Sequence, residues 1–275
     1  MNKSGVPYSA SYIFATIIVT AASILSEFRM EFIALAAGIG LSLIVVTHLI
    51  SKAVRIIGRQ QDNIFRQHEC LIQLNTRLAP KLPLPHTRQY RGSPDFLLKL
   101  HLLIQQHKPE FILEASSGIS TLVAAYTLQQ LGRGKILSLE NDANYANASR
   151  ELLEAHGLLP YASVVHAPLT PFSIDGRKWL WYDFSRTSLP EKIDMIVIDG
   201  PPDRVQKNAR YPVLPLLIDR LTSDGLLVLD DANRPTEMRI IKMWLKRHND
   251  LRSTFLSTEK GMAIVSNAKH GKPNS

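Results

Sequence analysis

Between Phe111 and Ser266, short and nearly unbroken apolar runs alternate with longer helical patterns. This alternation restricts the fold more than any other feature of the chain. FILEA (111–115), KILSLE (135–140), ASVVHA (162–167), DMIVIDG (194–200) and GLLVLDD (225–231) read as strands. The stretches 120–132, 144–157, 211–223 and 236–249 read as helices between or after them. Strands apolar on both faces belong to a parallel sheet covered by helices on each side. Two closing runs, RSTFLST and GMAIVS, are joined by a short turn and add an antiparallel strand at one edge. The expected fold is therefore α/β: a Rossmann-like, doubly wound, mostly parallel seven-stranded sheet with an antiparallel edge strand.

Such sheets bind ligands beyond the carboxyl ends of their strands, at the point where strand order reverses. The residues there are Glu114 to Thr121, Glu140, His166, Asp199 and Asp230-Asp231. Four of these strand ends carry carboxylates, which folding alone does not require. Glu140 is suitably placed to accept both hydroxyls of a ribose, and equally suits an ordinary solvated strand end. In LEASSGIST (113–121), Gly118 precedes Ser120 and Thr121 at a helix start, where small residues and free N–H groups admit an anionic or polar ligand.

The N-terminal fifty residues differ from the rest. Ala10–Leu25 has no charge, and Phe32–Ile50 has only His48. A bilayer-spanning helix needs roughly 20 apolar residues. The intervening SEFRME suggests a turn, so a transmembrane helical hairpin over 1–50 is expected, with Tyr8, Tyr12, Phe28 and Phe32 at the interfaces. A signal peptide is the alternative for the first segment, but it has only Lys3 ahead of it and no clean cleavage site. A soluble, buried helical hairpin is another. Ser93-Pro94 marks a helix start. The domain order expected is the hairpin, a basic helix and Pro-rich linker over 51–92, a main domain over 93–267 and a disordered tail over 268–275.

Charge supports this order. Net charge is +8, and residues 51–110 hold ten Lys/Arg against four acids, whereas 1–50 is neutral. A basic block flanking an apolar segment points to the cytoplasmic membrane surface rather than to nucleic acid. Cys70 is the only cysteine, so neither an internal disulfide nor a cysteine-rich zinc site is available.

Three motifs in order resemble a known family. They are Glu114-Ala-Ser116-Ser-Gly118-Ile-Ser120-Thr121 after the first strand, Asp194-Met-Ile-Val-Ile-Asp199-Gly200-Pro201-Pro202 at the fourth, and Asp230-Asp231-Ala-Asn-Arg234 after the fifth. NARYPVLPLL (208–217) fits as well. The chain from about 90 to 267 resembles the class I S-adenosylmethionine-dependent methyltransferases. Within them it is similar to a bacterial, methyltransferase 24-like group with E-x-G-x-G-x-S-T, D-G-P-P and D-D-x-x-R. Ser116 departs from that pattern, which has glycine there. The resemblance implies S-adenosylmethionine as cofactor: Glu114, Ser116, Gly118, Ser120 and Thr121 toward its methionine part, Glu140 toward its ribose, and Ala167 with His166 bordering its adenine.

A hydroxyl acceptor needs a base or a metal to lower its pKa. Asp199 and His166 are the candidate catalytic residues. Asp199, Asp230 and Asp231 also resemble the metal-binding carboxylates of catechol-type O-methyltransferases, which implies Mg²⁺. Those enzymes carry a lysine three residues after the first Asp, and Pro202 stands there instead. A metal-free site therefore remains open. Asp230-Asp231 equally suits a turn-capping role, with Arg234 as counter-charge. His166 also reads as a packed or solvated strand-end residue. Trp179, Trp181 and Tyr182 wall a pocket or simply pack.

The expected function is a membrane-anchored methyltransferase of the inner membrane, multi-pass, with its catalytic domain cytoplasmic. Its expected acceptor is a small-molecule, glycan or lipid-linked hydroxyl. The alternatives are a catalytically inactive module serving assembly at the membrane, and an aminopropyl transferase using the same cofactor fold.

Overall fold

β1 (Phe111–Ala115), β2 (Lys135–Glu140), β3 (Ala162–His166), β6 (Ile193–Ile198) and β7 (Leu221–Asp230) lie parallel, in a computed structural model that describes residues 10–88 and 92–268. With β8 (Leu251–Leu256) and β9 (Met262–Asn267) the order is β3-β2-β1-β6-β7-β9-β8. β9 runs antiparallel to both β7 and β8, at the edge where the closing strands were expected. Order reverses between β1 and β6, since β2 lies on the other side of β1. The residues following β1 and β6 therefore meet at the switch point.

The near-continuous apolar strands supply both faces of the core. Ile112 and Ile136 belong to one buried cluster, and Leu113, Ala115, Leu137 and Leu139 to the other. That two-residue period puts Glu114 and its register partner Ser138 on the Ile112 face, beneath α3 (Ile119–Leu131). α2 (Pro94–His107) and α4 (Ala143–His156) also contribute to this cluster. α6 (Pro235–Arg247) packs on the opposite face through Ile240, Ile241 and Trp244.

Two elements differ from expectation. The helix expected over 211–223 shrinks to α5 (Val213–Leu217) and a 3₁₀ turn, Ile218–Arg220. Pro212 and Pro215 lack the N–H groups that a longer helix needs. The stretch between β3 and β6, where no strand was expected, contains a hairpin, β4 (Leu169–Ile174) and β5 (Arg177–Tyr182). Its two-residue turn is Asp175-Gly176, with φ of 51° and 73°, the signature of a tight hairpin turn.

The chain divides into two units, residues 1–62 and 63–275. The first consists of the early part of α1 (Ala10–Leu78), one unbroken helix. The expected hairpin is thus replaced by a continuous helix. SEFRME contains neither glycine nor proline, and Ser26 Oγ donates back to Ser23 O at 2.8 Å inside the helix. Its apolar side chains are exposed, among them Phe14, Ile18, Phe32 and Leu43. One long apolar helix is what the structure establishes for this region.

The second unit begins at Asn63, well upstream of Ser93. Leu74 and Leu78 are fully buried in the core beside α2 and α3. Gln67 donates to Asp95 Oδ2 at 2.8 Å and accepts from the Asp95 N–H at 3.2 Å. Residues 63–78, placed with the basic helix in the sequence reading, are thus an integral part of the unit. Tyr8 and residues 269–275 of the expected tail lie outside the described residues.

Candidate active site

The loop after β1 is built by local polar contacts. Ser116 donates its N–H to Leu139 O at 3.0 Å, which pins the loop against the end of β2. Gly118 caps α3 at φ 143°, and its N–H donates to Thr121 Oγ1 at 3.0 Å. A Cβ built on Gly118 would meet nothing within 4 Å, so this part of the loop faces open space. Ser116 sits at φ 119°, a conformation that non-glycine residues rarely adopt.

Glu114, Ser120 and Thr121 lie beneath the loop rather than in it. Glu114 is fully buried, and its Oε2 accepts from Thr121 Oγ1 and Ser138 Oγ, each at 2.5 Å. Oε1 makes no hydrogen bond. Burial raises the carboxyl from its ordinary 4.5 to about 7, against the neighbouring hydroxyls that favour the ion. The Glu114 carboxyl thus braces the strand-to-helix turn from below.

Glu140 ends β2 beside the loop. Its Oε1 accepts from the Asp142 N–H at 3.0 Å and its Oε2 from Ser117 Oγ at 3.1 Å. Burial raises its pKa as well. Ala167, fully buried, donates its N–H to Glu140 O at 2.7 Å. His166 is the register partner of Glu140. Two strands separate β3 from β6, so roughly 14 Å divides His166 from the Asp199 end of the sheet at the usual strand spacing. The structure therefore does not bring the two expected catalytic residues together.

Asp199, Asp230 and Asp231 do converge, each offering an oxygen within 4.8 Å of the others. Asp199 follows β6 and keeps 18% of its side chain exposed, whereas Asp230 and Asp231 are buried. Burial lifts Asp199 from 3.8 to about 6, with Arg210 opposing. Burial, then the neighbouring Asp199 and Asp231, raises the Asp230 carboxyl well above its ordinary range. Its Oδ1 accepts from the Asp231 N–H at 2.8 Å, and its Oδ2 makes no hydrogen bond. Asp231 sits at φ 62°, a region that aspartate tolerates.

Arg210 was not singled out from the sequence, although NARYPVLPLL contains it. Its buried guanidinium donates from Nη2 to Asp199 O and Asp231 Oδ2, both at 2.8 Å, and to Asp199 Oδ1 at 3.3 Å. Nη1 donates to Asp230 O at 2.9 Å, and Nε lies 3.8 Å from Glu237 Oε1. Arg234 Nη2 reaches Asp231 Oδ1 at 3.0 Å, as its counter-charge role anticipated, and Lys260 Nζ lies 4.0 Å away. Both Asp231 oxygens thus face cations.

This arrangement does not fit Mg²⁺, which takes octahedral oxygen ligands and retains several waters. Asp231 has no oxygen free of a positive group. Asp230 is fully buried, and Arg210 already bridges Asp199 and Asp231.

Tyr182, from the β4–β5 hairpin, is the other residue whose part only the fold shows. A Cβ on Gly200 would fall 2.2 Å from its hydroxyl and 3.1 Å from Ser116 Cβ. Its phenol therefore abuts both the β6 end and the loop. Burial, then Glu140, raises its pKa well above 10. Trp181 is buried, and Trp179 packs on Tyr211 with ring centroids 4.8 Å apart.

The sheet order and this strand-end site are those of the class I S-adenosylmethionine-dependent methyltransferase fold. Within that class, residues 115–232 match a family model described as a methyltransferase domain. Among solved structures, a SAH-bound methyltransferase of Podospora anserina, PaMTH1, is 16% identical with a TM-score of 0.52, covering 72% of this chain and 87% of its own. An O-methyltransferase of Bacillus cereus in complex with SAH is 18% identical with a TM-score of 0.49, covering 72% and 90%. The Podospora likeness carries the fold. No curated protein matches the chain.

Proposed function

We propose that this chain is a membrane-anchored S-adenosylmethionine-dependent methyltransferase that methylates a hydroxyl oxygen at the cytoplasmic face of the inner membrane. Its acceptor is a small-molecule or glycan-type alcohol, including lipid-linked sugars that an anchored enzyme meets readily.

The observation that carries the reading is the meeting of the start of this loop with the Asp199-Gly200 end of β6: the Asp199 N–H donates to Ala115 O at 3.2 Å, Gly200 lies against Ser116, and Asp199 is the one carboxylate of its cluster that stays partly exposed. Gly118 and Ser116 offer backbone to the methionine part of the cofactor. Glu140, ending β2 beside the loop, takes the ribose hydroxyls, and His166 and Ala167 border the adenine. S-adenosylmethionine, when bound, supplies a methyl group already activated on a positively charged sulfur. Asp199 accepts the proton of the acceptor hydroxyl, and a carboxyl near 6 is largely ionised at neutral pH. Arg210 holds Asp199 in place from backbone and side chain.

The anchor rests on the exposed apolar part of α1 and the basic residues Lys52, Arg55, Arg59 and Arg66 behind it. At 1.5 Å per residue, the helix from 10 to 50 is about 60 Å long, twice a hydrocarbon core of about 30 Å. A multi-pass topology with both ends cytoplasmic would require a bend within Ser26–Glu31, where α1 is continuous helix.

Calorimetry of the full chain in detergent tests the cofactor assignment. Absence of S-adenosylmethionine binding would favour the inactive assembly module. Mass spectrometry of cell extracts incubated with labelled cofactor and the protein then identifies the methylated product.

A further inference from the structure

The strand-end cluster contains its own positive charge, in the position where a bound cation would bridge the carboxylates. Arg210 is 4% exposed and contacts all three strand-end aspartates, at 2.8 Å to Asp199 O, 2.9 Å to Asp230 O and 2.8 Å to Asp231 Oδ2. Its planar fork meets acceptors on both strand ends at once, which a point charge such as lysine does not do. The other Asp231 oxygen faces Arg234 at 3.0 Å and Lys260 at 4.0 Å. A divalent ion bound to Asp231 would sit against these fixed cations.

We infer that Arg210 is the built-in cation of the acceptor site, standing in for a divalent metal among Asp199, Asp230 and Asp231, so that methyl transfer by this protein is metal-independent. Arg210 is a positioning residue: it clamps the backbone oxygen and the carboxylate of Asp199 and leaves that side chain facing the acceptor. The inference rests on the methyltransferase reading for its consequence, but the occupancy of the cluster is tested separately from cofactor binding.

The test uses full-length protein in detergent, with Mn²⁺ titrated and the free ion followed by electron paramagnetic resonance. Wild-type protein is expected to show no saturable Mn²⁺ uptake, and the same melting midpoint in EDTA as in Mg²⁺. Arg210→Ala, once shown to be folded by circular dichroism, is expected to gain saturable uptake, because the carboxylates then lack their bridge. Asp231→Asn in that background is expected to remove it. Saturable uptake by the wild type that Asp231→Asn abolishes overturns the inference, and this arm decides even if Arg210→Ala does not fold. A folded Arg210→Ala that gains no uptake overturns it as well. Calorimetry with S-adenosylmethionine, run on the same samples, reports separately on the methyltransferase reading.

Discussion

Arg210 Nη2 donates to Asp231 Oδ2 at 2.8 Å in a pair whose side chains are 4% and 3% exposed. The same nitrogen donates to Asp199 O, so one guanidinium ties the end of β6 to the end of β7. Removing one partner of a buried pair leaves an uncompensated charge and costs about 3–5 kcal/mol. Arg210→Met is therefore expected to lower the melting midpoint by on the order of 10 °C. Arg234→Ala, whose side chain is 44% exposed, is expected to change stability by less than ~1 kcal/mol. Equal losses in the two variants would refute this division of labour.

Ser116 occupies φ 119°, where a Cβ is strained. Strain of this kind costs about 1–3 kcal/mol, and glycine gives back about 0.5–1 kcal/mol in chain entropy. Ser116→Gly is expected to stabilise the protein by roughly 1 kcal/mol and to keep or tighten cofactor binding. Urea unfolding and calorimetry check both, and a destabilised variant would show that the Ser116 hydroxyl matters more than its backbone.

Glu140 offers the carboxylate nearest the loop at the end of β2. Losing a charged hydrogen bond costs about 1.5–3 kcal/mol. Glu140→Ala should bind S-adenosylmethionine about ten- to a hundredfold more weakly, with an unchanged fold. Unaltered affinity in the calorimeter would remove Glu140 from the ribose site.

The pH dependence follows from Glu114. Its folded value of about 7 lies above the ordinary 4.5, so the folded state binds the proton more tightly than the unfolded chain. The resulting stabilisation is fully present below 4.5, declines as pH rises and is lost above about 7. Asp199 acts in the same direction between 3.8 and about 6. Stability is expected to fall by about 3 kcal/mol across this window from Glu114 alone. Glu114→Gln should flatten that slope; a slope unchanged in denaturant titrations at pH 5 and pH 7.5 would count against it.

Leu74 and Leu78 belong to the core of the second unit. A fragment starting at residue 85 omits both, and each buried leucine truncated to alanine costs about 2–5 kcal/mol. Residues 60–275 are expected to fold cooperatively and 85–275 to be molten or insoluble. Equal melting of the two fragments would show that residues 63–78 are dispensable.

The strand–helix alternation, the strand ends and the order of motifs were legible in the sequence because each depends on neighbours close along the chain. Two apolar faces per strand dictate a buried parallel sheet, and a parallel sheet dictates where its ligands bind. The β4–β5 hairpin was not expected, although Asp175-Gly176 is a local signal for it. The continuous α1 was not expected: SEFRME reads as a turn between two apolar segments, but it contains no helix breaker and stays helical.

Other features depend on contacts across the fold. Asp231 was paired with Arg234, three residues on, since a sequence shows neighbours. The guanidinium that bridges it to Asp199 comes from Arg210, which reaches it only because β6 and β7 lie side by side. Likewise, Glu114 and Glu140 looked alike as strand-end carboxylates. The pleat turns Glu114 under α3 to brace the loop, and leaves Glu140 at the sheet end beside it. By itself the sequence determined the architecture and the strand ends at which the candidate site lies. Only the tertiary structure decided which charges meet there, because charge pairing depends on distance in space and burial, and neither follows from separation along the chain.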